Sequence, residues 1–352
     1  MCASTTPERK VKITDLARMA GVSRGTVDRV LHGRGRVDPE VEKRVLALAR
    51  ELDYKPSRAA QQLAMQKRSI KIGFISPIDS RGFWANLLRG TGAAAAELNE
   101  YGVTVLQRNF DRYSPEDQLS MIDELVDEGI NGLVLVPLDN ETIRSRIEEL
   151  IKSGISVLLI NSELTGIDPM CYLGCNYFES GQVVGALMHN FSGGKPMRLL
   201  ILHGSQLMAN HRQREEGFIH ELETLGSVYE IVEKADITND PEYAYKRTCE
   251  ILKEHGGINA IFTITSNVPP VCKAINELGM TGNVVHIGFS LTAATRPFLL
   301  DGSLTATIGQ DAYQQGYQSL KIMFDYFSTG ILPQRKRILM RNMIFIKQNC
   351  IL

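Results

Sequence analysis

The chain has 352 residues, enough for two or three domains. Its hydrophobic content of 43% and formal net charge of −1 exclude a disordered polyampholyte and fit a soluble globular protein. The near-zero total hides an asymmetry: residues 1–69 carry 15 Lys and Arg against 8 Asp and Glu, and the remainder carries 24 against 32. A basic head on an acidic body suits a nucleic-acid face attached to a domain with other work.

Residues 13–31, ITDLARMAGVSRGTVDRVL, predict two short helices joined by a tight turn. Leu16, Ala17 and Ala20 fall on one helical face. Gly21 supplies a turn residue that tolerates a left-handed backbone, and Ser23 can cap the second helix. Val27, Val30 and Leu31 form that helix's inner face, which leaves Arg24 and Arg29 pointing outward. An outward-facing second helix with arginines is what a helix-turn-helix lays into a DNA major groove. The alternative for this segment alone is a helical hairpin inside a larger core. The residues that follow count against it. Asp38-Pro39 is a strong helix start, and Val41, Val45, Leu48 and Leu52 predict a third helix covering the first two. A linker, Tyr54-Lys-Pro56-Ser-Arg58, leads into AAQQLA at residues 59–64.

GVSRGTVDRVLHGRGRV followed by ELDYKPSRAAQQLA resembles the DNA-binding headpiece and hinge of the LacI/GalR family of bacterial transcription regulators. The resemblance implies DNA contacts from Thr14, Ser23, Arg24, Gly25, Thr26, Asp28, Arg29, His32 and Arg36 in the headpiece, and from Arg58, Ala60 and Leu63 in the hinge. Leu63 is expected to act as an apolar wedge in the minor groove. Two positions depart from the family pattern. Lys12 stands where a capping threonine is usual, and Asp28 where serine usually follows Thr-Val. Asp28 is expected to change which bases are read, or to orient Arg24 or Arg29. Gly25 has no side chain to reach a base and is expected to be silent.

From Ile70 onward, strand and helix alternate. Apolar runs at 70–76, 103–108, 132–138, 157–161, 198–204, 260–266, 284–290 and 305–310 predict strands buried on both faces, hence parallel sheets covered by helices. So many units predict two doubly wound lobes, with ligands bound beyond the carboxyl ends of the strands. The family resemblance implies the same architecture: two lobes of periplasmic-binding-protein type, crossed three times near 175, 309 and 330. The expected divisions are a headpiece over 1–56, a hinge over 57–69, an N-terminal lobe over 70–175 and 310–330, and a C-terminal lobe over 176–309 and 331–352.

The strand ends are therefore the candidate ligand site. Ser76, Asp79, Phe83 and Trp84 follow the first strand, and the aromatic pair can stack on a sugar ring or else begin a buried helix face. Asp139 follows GLVLVP and Asn161 ends VLLIN. In related sugar-binding proteins and regulators, the arginine of R-x-x-G-[FW], here Arg214, donates to ligand hydroxyls, and a glutamine matching Gln310 binds ligand or bridges the lobes. Where those families usually carry Asn-Asp and Asp, this chain has Ser266-Asn267 and Ser290. Loss of the carboxylate at 290 weakens paired acceptance of vicinal hydroxyls and leaves room for a modified or anionic sugar, or a polyol.

Other chemistries find little support. Gly90-Thr-Gly92-Ala93 resembles a dinucleotide fingerprint but falls inside a predicted helix. His203 and Ser205 share a strand end without a nucleophile elbow, so no enzyme and no cofactor is expected. The six cysteines offer no zinc spacing, so no metal is expected, and they are read as reduced thiols. The first ten residues hold no apolar run, and no stretch approaches the roughly 20 apolar residues of a membrane span, so a cytoplasmic location without membrane contact is expected. After NMIFIKQ only four residues follow, too few for a coiled-coil seam, so assembly is expected to stop at a homodimer. The expected function is a transcription regulator, most simply a repressor binding a palindromic operator and released by a carbohydrate-like effector. A corepressor-dependent regulator is the alternative.

Overall fold

A computed structural model describes residues 11–31, 37–52, 54, 69–78, 82–237 and 240–350. The sites expected at His32, Arg36, Arg58, Ala60, Leu63 and Asp79, and the hinge before Ser69, lie outside the described residues.

The headpiece is three helices, α1 (Ile13–Ala20), α2 (Arg24–Leu31) and α3 (Pro39–Glu51). Gly21 closes α1 at φ 65°, a left-handed turn that costs glycine nothing. The Ser23 hydroxyl caps α2 by accepting from the Thr26 N–H at 3.1 Å. Asp38 caps α3 by accepting from Glu40 and Val41 N–H groups at 2.9 and 3.2 Å. At α1, Lys12 supplies no such acceptor, but the Asp15 carboxylate reaches back to the Lys12 N–H at 3.0 Å, so half of a reciprocal cap remains. Leu16, Val27, Val45 and Ala49 are fully buried at the centre, while Val41, Leu48 and Leu52 lie at its margin.

The body is two lobes. The first holds β1 (Ile70–Pro77), α4 (Phe83–Asn99), β2 (Val103–Phe110), α5 (Pro115–Asp127), β3 (Gly132–Leu135), α6 (Glu141–Lys152), β4 (Ser156–Ile160) and β5 (Cys171–Gly174). The chain then enters the second lobe with α7 (Tyr177–Ser192), β6 (Met197–His203), α8 (Ala209–Thr224), β7 (Tyr229–Asp236), α9 (Pro241–Glu254), β8 (Ala260–Thr263), α10 (Val268–Glu277), β9 (Val285–Phe289), α11 (Arg296–Asp301) and β10 (Ala306–Gly309). It returns through α12 (Ala312–Thr329) and β11 (Arg337–Leu339), and crosses again to β12 (Met343–Phe345). The sheet orders are β11-β5-β4-β3-β1-β2 and β12-β10-β9-β8-β6-β7. Every pairing is parallel except that of β12 with β10. The continuous apolar runs are buried on both sheet faces, as in β3, whose residues are all buried.

The third crossing differs from the sequence expectation. Residues 331–339 stay with the first lobe, because Arg337–Leu339 pair in parallel with Tyr172–Gly174 and the Met340 N–H donates to the Gly174 carbonyl at 2.7 Å. The chain therefore changes lobes at 340–342 rather than near 330. Ahead of that crossing, Ile331 packs on the headpiece core. The Arg50 guanidinium donates to the Gln334 carbonyl at 3.0 Å, and the Gln334 amide donates back to the Arg50 carbonyl at 2.7 Å.

Gly90, read from sequence as part of a superficial nucleotide motif, has a packing role. A Cβ there would overlap the Tyr313 carbonyl, and one at Gly316 would overlap the Leu87 carbonyl, so α4 and α12 touch backbone to backbone. The second lobe repeats the device, with Gly181 against the Arg214 carbonyl and Gly217 against that of Phe178. Two substitutions two residues apart should therefore have opposite signs. Gly90→Ala forces the helices apart and should cost about 1–3 kcal/mol. Gly92→Ala, where a Cβ meets nothing within 4 Å, should gain about 0.5–1 kcal/mol from helix propensity. Urea unfolding of both variants checks this; equal shifts would refute the packing role.

Candidate functional site

The carboxyl ends of the two sheets face each other, and the residues just beyond them line a narrow cleft. The first lobe contributes Phe83 and Trp84 at the start of α4, Tyr113 ahead of α5, and Asn161 after β4. The second contributes Asn210, His211 and Arg214 from α8, Thr265 and Ser266 after β8, and Phe289 and Ser290 at the end of β9. Gln310 sits on the second crossing. Asn161, Ser290 and Asp311 adopt left-handed backbones at φ 62°, 73° and 50°. These are the positive-φ non-glycine residues among the described residues. All three follow strands that end at the cleft or the crossing, where such strain concentrates.

Arg214 is the centre of this site. It is 4% exposed, and its guanidinium lies over the Phe289 ring at 3.8 Å and faces Tyr177 at 4.8 Å. Nη1 donates to the Ile264 carbonyl at 2.7 Å and Nη2 to the Gln310 Oε1 at 2.6 Å. Burial lowers its pKa, but an arginine side chain stays charged. Asn161 donates to the Tyr177 hydroxyl at 2.8 Å and accepts from Asn210 Nδ2 at 2.8 Å, tying the two lobes at the cleft floor. Phe83 and Trp84 meet edge to face at 4.9 Å. They line the cleft and also belong to the first lobe's core, so both sequence readings of the pair hold at once.

Three buried polar atoms in this cleft lack a partner among the described residues: Arg214 Nε, Asn210 Oδ1 and His211 Nδ1. Buried polar groups are nearly always satisfied, and these three, out of seven such atoms among the described residues, make the cleft the candidate site for a polar ligand. A larger recess between headpiece and first lobe, about 290 Å³ and lined by Ala49, Tyr54, Ile322, Leu332 and their neighbours, holds none of these partnerless atoms.

Seven of the residues predicted from sequence thus meet in the cleft: Phe83, Trp84, Asn161, Arg214, Ser266, Ser290 and Gln310. Three do not. Ser76 is buried against Asn109, whose Nδ2 donates to its hydroxyl at 3.1 Å. Asn267 ends at the start of α10, donating to the Ile237 carbonyl at 3.3 Å. Asp139 is an interlobe contact: its N–H donates to the Leu207 carbonyl at 2.7 Å, and its carboxylate pairs with Arg144 of its own lobe and Arg212 of the other. Tyr113, Asn210, His211, Thr265 and Phe289 were missed. The first two turns of α8 carry Asn210 and His211 beside Arg214, a signal the R-x-x-G-F motif could have extended backward.

On the headpiece, Thr14, Ser23, Arg24, Gly25 and Arg29 are exposed, and Thr26 and Asp28 are half-buried. Arg29 folds along α2, donating to the Gly25 carbonyl and the Thr26 hydroxyl at 3.3 Å each. Burial raises the Tyr54 pKa, an effect that Arg24 opposes and Asp28 reinforces.

Burial pushes His211 down to about 3 and His286 down to about 4. His286 is fully buried, with Nε2 at 2.9 Å from the Thr263 hydroxyl and Nδ1 at 3.0 Å from the Ser303 carbonyl. Unfolded histidines protonate near 6.5, so the unfolded state binds more protons below that pH. The contribution of the pair is full above about pH 6.5 and is lost as pH falls toward 4, by about 1.4 kcal/mol per pH unit for each group. Urea unfolding from pH 7 to 4.5 should show this decline, and His286→Gln should shallow it. An unchanged slope in the variant would contradict the assignment.

A family model described as periplasmic binding protein domain matches residues 72–330, and one described as bacterial regulatory proteins, lacI family, matches residues 12–57. Catabolite control protein A of Priestia megaterium is 32% identical over 152 residues, covering 43% of this chain and 44% of that protein. The chain thus spans less than half the length of the first curated relatives it matches. The HTH-type transcriptional regulator RegA of Clostridium saccharobutylicum is 22% identical over 351 residues, 94% of this chain and 97% of that one. Among solved structures, the glucose-galactose binding protein GanP from Geobacillus stearothermophilus covers 80% of this chain and 99% of its own, with a TM-score of 0.72 at 21% identity. That likeness shows the fold. No helix among the described residues is long and apolar enough to cross a membrane.

Proposed function

Since the chain belongs to the lacI family of bacterial regulatory proteins and joins that headpiece to a periplasmic binding protein domain, we propose that it is a ligand-responsive DNA-binding transcription regulator. It acts as a cytoplasmic homodimer, with two headpieces matching the two half-sites of a palindromic operator. A small carbohydrate-like effector bound between the lobes shifts the population of lobe arrangements and so the affinity for operator. Its relatives include catabolite control proteins and HTH-type regulators, which supports the DNA-binding half. The observation that carries the proposal is the pairing, in one chain, of an exposed arginine-bearing second helix with a cleft holding three partnerless buried polar atoms.

The His203 and Ser205 pair singled out in the sequence is engaged separately: His203 Nδ1 lies 2.6 Å from Gln206 Nε2, and the Ser205 hydroxyl accepts from the Leu207 N–H at 3.2 Å.

Operator selection from random duplexes, followed by effector titration, tests the proposal. Arg29→Ala should lose about 1–3 kcal/mol of specific binding and relax one base pair of the selected site. Arg214→Ala should keep DNA binding and lose the effector response, at a cost of about 2–5 kcal/mol in effector affinity. Unchanged base preference in the first, or a full response in the second, would overturn the corresponding assignment. The sign of the response separates release from corepression.

A further inference from the structure

Resting on the cleft as the effector site, we propose that the effector is a polyhydroxylated carboxylic acid of monosaccharide size whose carboxylate pairs with Arg214. Among the described residues, both hydrogen-bond partners of the guanidinium, the Ile264 carbonyl and the Gln310 amide oxygen, are neutral. The described groups acting on its charge are Tyr177, Cys175 and Tyr172, all of which burial holds in their uncharged forms. No carboxylate lines the cleft among the described residues, and Asp139 is spent on Arg144 and Arg212. A permanent cation buried without a counter-charge is costly, and a ligand that supplies that charge gains from pairing with it.

The other surroundings agree. Helix α8 begins at Ala209 with no side-chain cap and no acid in its first turn, and that turn's Asn210 and His211 line the cleft. Its positive end therefore adds to the field of Arg214. Arg214 Nε is a donor awaiting an acceptor, whereas Asn210 Oδ1 is an acceptor awaiting a hydroxyl, so the ligand carries both an anion and O–H groups. One carboxylate neutralises one guanidinium. A phosphate dianion would leave net negative charge buried, with no second cation lining the cleft among the described residues.

The test is titration calorimetry on the full-length protein with D-glucuronate, D-galacturonate and D-gluconate, each beside its neutral parent sugar, and with D-glucose 6-phosphate. At least one acid should bind about 30-fold or more tightly than its parent. Arg214→Gln should erase that preference. Ser290→Asp should reverse it, since the Ser290 hydroxyl lies 3.5 Å from Gln310 Nε2 and aspartate tolerates the left-handed backbone there. Parents binding as tightly as acids, tighter binding of the phosphate, or a preference surviving Arg214→Gln each overturns the acid assignment. Neutral sugars that bind and lose affinity in Trp84→Ala would leave the effector site standing without it. Silence of the whole panel would overturn the effector site itself.

Discussion

The fixed charge of Arg214 organises the regulatory body. A buried histidine escapes desolvation by releasing its proton, as His211 does, whereas an arginine cannot. Its surroundings must therefore be built to hold the charge. The Phe289 and Tyr177 rings give π-faces, the end of β8 gives the Ile264 carbonyl, and Gln310 brings an amide from the crossing between lobes. The backbone that presents Arg214 is pinned as well, because Gly181 of α7 packs directly on its carbonyl. A glycine contact, two strand ends and a crossing segment thus converge on one side chain. Displacing any of them moves a buried charge, which a low-dielectric site penalises steeply.

The fold was legible where local signals sufficed. The headpiece is short-range in every part: its turn glycine, its caps and its apolar spacing are each read within four residues. The fully buried strands announce themselves as continuous Val, Ile and Leu runs. The strands that escaped the sequence are those lacking that run. β7 lies at the edge of its sheet, and only Ala235 of its eight residues is buried. β11 is three residues at the opposite edge of the other sheet, half exposed and defined by its pairing with β5 rather than by its composition. Missing β11 is what placed the last crossing ten residues early, since its pairing with β5, and the contacts of Lys336 with Asp168 and Arg337 with Glu163, join partners far apart in sequence.

The site was legible at strand ends and through the arginine motif, and less so where a residue's role depends on the opposite lobe. Asp139 follows a strand as a ligand-binding residue would, but Arg212 from the other lobe claims its carboxylate, and no local pattern foretells that. Asn267 sits where a cleft amide was expected and turns instead to the Ile237 carbonyl of a neighbouring connection. Asn210 and His211 escaped for the converse reason: they become cleft residues only because the loop before α8 drives Met208 into the first lobe's core.

That loop shows what holds the lobes together in this arrangement. Met208 is fully buried among first-lobe residues, the Asp139 N–H reaches Leu207, the Asp139 carboxylate reaches Arg212, and Asn161 reaches Asn210. These contacts join the lobes through protein groups alone. A shift from mostly one arrangement to mostly the other takes about 5.5 kcal/mol of differential affinity, and a ligand bound equally by both moves nothing, however tightly it binds. The partnerless atoms of Arg214 and Asn210 belong to the second lobe, and Trp84 and Tyr113 to the first. A ligand that satisfies the former while resting on the latter is held fully only when both lobes are present around it. On the proposed function, differential affinity would follow from the cleft's layout, because its partnerless polar atoms and its Trp84 and Tyr113 rings lie on opposite sides of the joint.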